Sequence, residues 1–153
     1  MVPGEVAATI RPTETIGINH MDVENKHWFK ATLRIKGASH LHDEIKLILG
    51  DGTECHKRGD PVPTKPGKHW SNDIWIINAP IPEDAEPAEH LKWIEDFIHP
   101  HEDQIKQWAG NGAKVDVYLS YACNCQHHGF GLPPEVLGMF VRLNIPLEVS
   151  IVV

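Results

Sequence analysis

The chain has 153 residues, a mass of 17.2 kDa and a formal net charge of −7. That length suits one domain with a proper core, and the acidic balance opposes attraction to phosphate backbones, so no nucleic acid is expected as a partner. No stretch approaches the run of about 18 to 20 apolar residues that spans a bilayer, and Met1-Val2-Pro3-Gly4-Glu5 lacks the charged and apolar regions of an export signal, so no membrane is expected and the setting reads as cytoplasmic.

The three cysteines, Cys55, Cys123 and Cys125, are odd in number and two of them sit one residue apart, a poor framework for structural disulfides. Reduced thiols in a cytosol fit better. The 11 histidines are a surplus whose plain explanation is scattered surface positions.

Residues 1–25 carry Pro3, Gly4, Pro12 and Gly17 with little periodicity and read as an N-terminal arm, leaving 26–153 as a single domain. From Trp28 to Lys36 the order alternates strictly. Phe29, Ala31, Leu33 and Ile35 fall on one face and Lys30, Thr32, Arg34 and Lys36 on the other, which predicts a half-buried strand. Ser39 then caps a helix with Leu41, Ile45, Ile48 and Leu49 in one stripe, stopped at Gly50.

Asp51 to His69 reads as a long connection rich in glycine and proline, which also gathers His56, Lys57, Arg58, Lys65 and Lys68. The run Trp70 to Asn78 reads as a second strand, apolar on both sides. Pro82, its neighbouring acids and Pro87 open an inserted helix over 82–112, kinked or divided at Pro100 and stopped at Gly110-Asn111-Gly112.

The first plan then recurs. Val115, Val117, Leu119 and Tyr121 alternate with Asp116, Tyr118 and Ser120 in a third strand, and Pro133-Pro134 start a helix with Val136, Leu137, Phe140 and Leu143 inward. Ile145 to Ile151 alternates as a fourth strand, placed at a sheet edge because Pro146 lacks a ladder donor. Two strand-helix-strand halves predict an α+β fold, most simply a ferredoxin-like antiparallel sheet with the 82–112 segment as an insert.

Ile45 to Gly50 with Gly59-Asp60, then Trp70, Trp75 and Glu89-His90-Leu91, carry a resemblance to a known family. Gly129-Phe130-Gly131-Leu132, the helix Glu135 to Leu143 and the closing Ile145-Pro146-Leu147-Glu148-Val149 complete it. The chain resembles the bacterial domain of unknown function 4279 over roughly residues 28 to 153. The resemblance implies bacterial origin, a single domain and a cytosolic setting; it brings no reaction, cofactor or catalytic residue.

The sequence departs from that family in Cys123-Asn124-Cys125-Gln126-His127-His128. Cys123, Cys125, His127 and His128 offer sulfur and nitrogen ligands of the kind tetrahedral zinc accepts, although four ligands so close together would strain the backbone. Cys55 or His56 could supply a second arm if the fold joins the two loops. Zinc is thus the one candidate cofactor, against the plainer reading of free thiols and surface histidines with no cofactor at all.

Cys55 is also a candidate nucleophile, because His56, Lys57 and Arg58 beside it would favour the thiolate. The sequence names no base for it. His56, Lys57, Arg58, Lys65 and Lys68 together could receive an anionic group or a partner. On the outer face of the first strand, Lys30, Arg34 and Lys36 should lie across from Asp116 and Glu148. The carboxylates elsewhere sit at helix starts and on outward helix faces, as solvation and the helix dipole require.

These features predict a binding module, with a protein as the expected partner and no reaction of its own. A metal or thiol protein using the Cys123–His128 loop is the first alternative, and a toxin-neutralising partner the second.

Overall fold

The computed structural model describes residues 26–124 and 129–152, so the N-terminal arm read over 1–25 lies outside the described residues. The elements in chain order are β1 (His27–Lys36), α1 (His42–Leu49), β2 (Glu54–His56), β3 (Ile74–Asn78), α2 (Pro87–Ile98), α3 (Glu102–Gly110), β4 (Lys114–Cys123), α4 (Gly138–Leu143) and β5 (Leu147–Val152). Short 3-10 turns precede α1 and α4 and join α2 to α3.

The strands form one mixed sheet in the order β2-β3-β1-β4-β5. β1 runs antiparallel to both β3 and β4, β2 runs antiparallel to β3, and β5 runs parallel to β4. The fold is therefore α+β with β1 and β4 central, but the ferredoxin-like arrangement does not hold. There the second predicted strand would lie beside β4, and the last beside β1. Here β3 returns beside β1 and β5 beside β4.

Two local features account for the difference. The first helix stops at Gly50 (φ 84°) and the chain turns at once through Gly52 (φ 67°), so that Thr53 N–H reaches Ile76 O at 2.7 Å and β2 pairs directly with β3. No crossover over β1 remains possible from there. The second feature is the 82–112 segment, which supplies the main cover of the sheet rather than a peripheral insert. Leu91, Ile94 and Ile98 of α2 and Ile105 and Trp108 of α3 are fully buried, on the side of the sheet where Phe97 stacks on Trp75 at 6.4 Å between ring centroids.

The break between α2 and α3 falls at the 3-10 turn His99–His101, which contains Pro100. Glu86 and Glu89 form a reciprocal capping box at the start of α2, with Pro87 in the first turn where its missing N–H costs nothing. Asn144 ends α4 in the left-handed conformation (φ 52°), and Gly50 ends α1 at a positive φ of 84°. The recurrence seen in the sequence is thus real at the level of strand, helix and stop, and the neighbours taken by the following strands differ.

Phe29, Ala31, Leu33 and Ile35 of β1, and Val115, Val117, Leu119 and Tyr121 of β4, face the helices and are buried. At roughly 25 cal/mol per Å² of apolar surface removed from water, this two-layer seam is the main favourable term in folding. The other sheet face carries Lys30, Thr32, Arg34 and Lys36 opposite Ser120, Tyr118, Asp116 and Lys114, with no helix over them among the described residues. It is the face on which a site can form.

Candidate functional site: a basic cleft at the end of the central strands

The open face is ordered by one ion-pair network. Arg34 donates from Nε to Asp116 Oδ1 at 2.6 Å and from its terminal nitrogen to Glu148 Oε2 at 2.8 Å, while its guanidinium lies 4.3 Å from the Tyr118 ring centroid. Lys36 Nζ approaches Asp116 Oδ2 at 3.0 Å. The sequence placed these charges across from one another, and the register Arg34↔Asp116 and Tyr118↔Glu148 is what brings them together. Asp116 is buried, and two cations on its carboxylate keep that burial tolerable.

Beyond this network, where β1 ends and β4 begins, Lys36, Gly37, Arg58, Ser71, Asn72, Asp73, Gly112 and Lys114 line a cleft of about 430 Å³. Arg58 is fixed there by its backbone N–H to Asp73 Oδ1 at 2.7 Å and by Nε to Ser71 O at 2.9 Å. Gly37, in the left-handed conformation (φ 71°), donates its N–H to Asp73 O at 3.0 Å, which ties the end of β1 to the approach to β3. The cleft is thus lined by Lys36, Arg58 and Lys114 together with Asp73, and since Lys36 is already paired with Asp116, Arg58 and Lys114 are the cations left to it. Among the described residues no acid pairs with the side chain of Arg58 or Lys114.

The residues read from sequence as anion-binding divide on folding. Arg58 lines the cleft, and His56 stacks on Trp70 with centroids 3.8 Å apart while its Nε2 lies 3.3 Å from Asn72 Oδ1 on the cleft wall. Lys57 turns away to Asp43 Oδ1 at 3.1 Å. Lys65 and Lys68 lie exposed in a turn closed by Val62 N–H to Lys68 O at 2.9 Å and by the Pro61↔His69 bridge. The 51–69 connection is therefore organised, not a bare loop, and it contains β2. Sequence reasoning missed Lys36 and Lys114 as site residues; the signal available was a lysine at the outer end of each central strand.

Cys55 sits on β2, facing the helices opposite Trp75, with Sγ 3.3 Å from Nδ1 of buried His42 at the start of α1. This supplies the base that the sequence could not name. The pair is nevertheless poised in its neutral form. Burial pushes the Cys55 thiol up, against the pull of Lys46 and Lys57, and burial pushes His42 down, against the lift from Asp73. A thiol that keeps its proton is a poor nucleophile.

Of the proposed metal ligands, Cys125, His127 and His128 lie outside the described residues. Cys123 ends β4 opposite His27 and is disulfide-bonded, so the expectation of reduced thiols fails at that position and its sulfur is not free to ligate zinc, whereas Cys55 is a free thiol and lies across Trp75 from Ile35. Eight residues of strand separate those positions along β1, about 26 Å at 3.3 Å per residue. Cys55 and His56 therefore lie far from Cys123, toward the other end of the strands and on the β2 edge of the sheet. Among the described residues no group of three or more His, Cys, Asp or Glu side chains is arranged to hold a metal ion.

The chain belongs to the family described as Domain of unknown function (DUF4279), which it matches over residues 27–153. No curated protein and no solved structure matches it. Among the described residues no helix is long and apolar enough to cross a membrane.

Proposed function

We propose that this protein is a non-catalytic binding module of the bacterial cytoplasm, and that its basic cleft receives carboxylates on an acidic segment of a partner protein. The observation that supports this reading is that Lys36, Arg58 and Lys114 line one cleft, with Arg58 and Lys114 unpaired by any described acid, in a chain whose net charge is −7. Positive charge concentrated on one cleft of an acidic molecule orients an acidic partner and repels it elsewhere. Arg58 brings a planar fork suited to a carboxylate, and its pinned backbone limits the freedom lost on binding. The neutral Cys55–His42 pair favours binding over thiol chemistry.

Titration of the protein with a glutamate-rich peptide, followed by calorimetry at low and at about 0.15 M salt, tests the proposal, since exposed charges are screened beyond about 8 Å at the latter strength. We expect saturable binding that weakens with salt and is lost in the Arg58→Gln and Lys114→Glu variants. Absence of binding at low salt, or binding that both variants retain, would overturn the reading.

A further inference from the structure

Among the described residues, the edge strand β5 presents a row of backbone groups with no partner. Pro146 O accepts from Val117 N–H at 3.1 Å. Backbone groups alternate sides along a strand, so those of Glu148 and Ser150 turn toward β4 and those of Leu147, Val149 and Ile151 turn outward. Among the described residues nothing pairs with the outward set.

The two edges of the sheet differ in how they are protected. β2 is only three residues long, and a short edge strand offers little to an incoming chain. β5 is six residues long with no lysine and no proline inside it, and its one charge, Glu148, is held by Arg34 at 2.8 Å. On its helix-bearing side Val149 and Ile151 remain 46% and 61% exposed. An apolar edge of this kind, which no described residue covers, is a pairing surface.

We propose that β5 pairs antiparallel with β5 of a second copy of this chain about a two-fold axis through Val149, joining the two sheets into one. The register follows from parity and charge. With the axis at Val149, outward residues meet outward residues: Val149 faces its own counterpart, Leu147 faces Ile151, and every outward N–H and C=O from Leu147 to Ile151 gains a partner. On the open side Glu148 then faces Ser150. An axis at Glu148 would set two carboxylates directly opposite, which destabilises a ladder, and an axis at Ser150 would carry Leu147 beyond the end of the described strand. The strand is self-complementary in one register, which singles out a second copy as its partner. A two-fold normal to the sheet leaves both open faces on the same side, and the pairing holds whatever the clefts bind.

Sedimentation equilibrium on the full chain at about 0.1 mM, within the range where small interfaces assemble, tests this. The wild-type chain is expected at twice 17.2 kDa. Val149→Pro removes an outward N–H and no bond to β4, and Ile151→Lys places a cation at the junction; both are expected to be monomeric with unchanged circular dichroism. If Val149→Pro fails to fold, Ile151→Lys decides. Val141→Lys, at an equally uncovered apolar position on α4, is expected to remain dimeric. A monomeric wild-type chain, a dimeric Ile151→Lys variant, or loss of the dimer in Val141→Lys would each overturn the proposal.

Discussion

Lys36 and Lys114 are direct cross-strand partners in the β1–β4 ladder, two like charges where opposite ones would stabilise the sheet. Asp116 relieves Lys36 at 3.0 Å, but no acid relieves Lys114 among the described residues. Replacing Lys114 with Glu should therefore raise stability, by about 0.2 to 1 kcal/mol on the scale of such cross-strand pairs. Urea unfolding of the wild type and the variant gives the comparison. A site kept at the expense of stability behaves in this way, and an unused surface lysine has no reason to.

Acid should unfold the protein through two histidines. His42 and His90 are buried, and burial, the largest cause in each case, holds both below their ordinary value near 6.5. The unfolded chain thus takes up protons first as pH falls. Stability is expected to be flat above about pH 6.5 and to fall below it by up to about 1.4 kcal/mol per pH unit for each histidine, until the folded forms also protonate. Urea midpoints measured from pH 7.5 to 5.0 report the slope, and His90→Leu should make it shallower.

Cys55 should resist alkylation. Its thiol is pushed up by burial and His42 beside it stays neutral, so little thiolate forms at pH 7.5. Peptide mapping after brief iodoacetamide treatment is expected to find Cys55 largely unmodified in the folded protein and fully modified in urea. Rapid folded-state labelling would instead mark a reactive centre at this position.

Gly52 is irreplaceable on geometric grounds. Its φ is 67°, and an added Cβ would overlap the Ile76 carbonyl oxygen and come within 3.0 Å of Trp75 Cε2. Neither neighbour can yield, since Trp75 is fully buried and donates Nε1–H to Gly50 O at 2.9 Å. Gly52→Ala should cost about 2 to 4 kcal/mol, combining a left-handed backbone with overpacking. Thermal unfolding checks the value, with Gly59→Ala, which meets nothing, as the milder comparison.

Much of the local structure was legible in the sequence. The alternations of β1 and β4 assign their buried apolar residues correctly, although Thr32 and Asp116 on the other face are buried too; the last strand lies at an edge as expected, although Pro146 precedes it; and Gly50 and Asn144 mark helix stops, because each of these signals is local. Neighbour choice within the sheet was not legible. Whether β3 lies beside β1 or β4 depends on the turn at Gly52 and on the space that α2 and α3 occupy, and neither is written in the periodicity of β3. The site divides along the same line. The Arg34, Asp116 and Glu148 network follows from alternation, whereas the cleft joins Lys36, Arg58 and Lys114 from three distant stretches of chain. Glu54, Cys55 and His56 read as loop because three residues carry too little pattern to reveal a strand.

The longest ladder in the sheet joins residues 27–36 to residues 114–123. During synthesis β1 therefore emerges long before the strand that completes its second side, and Phe29, Leu33 and Ile35 must wait with one flank unpaired. Contacts so distant in sequence slow closure and lengthen the exposure of sticky intermediates. A ribosome-bound fragment ending before β4 should be the species that chaperones hold, and release should coincide with the arrival of Tyr121.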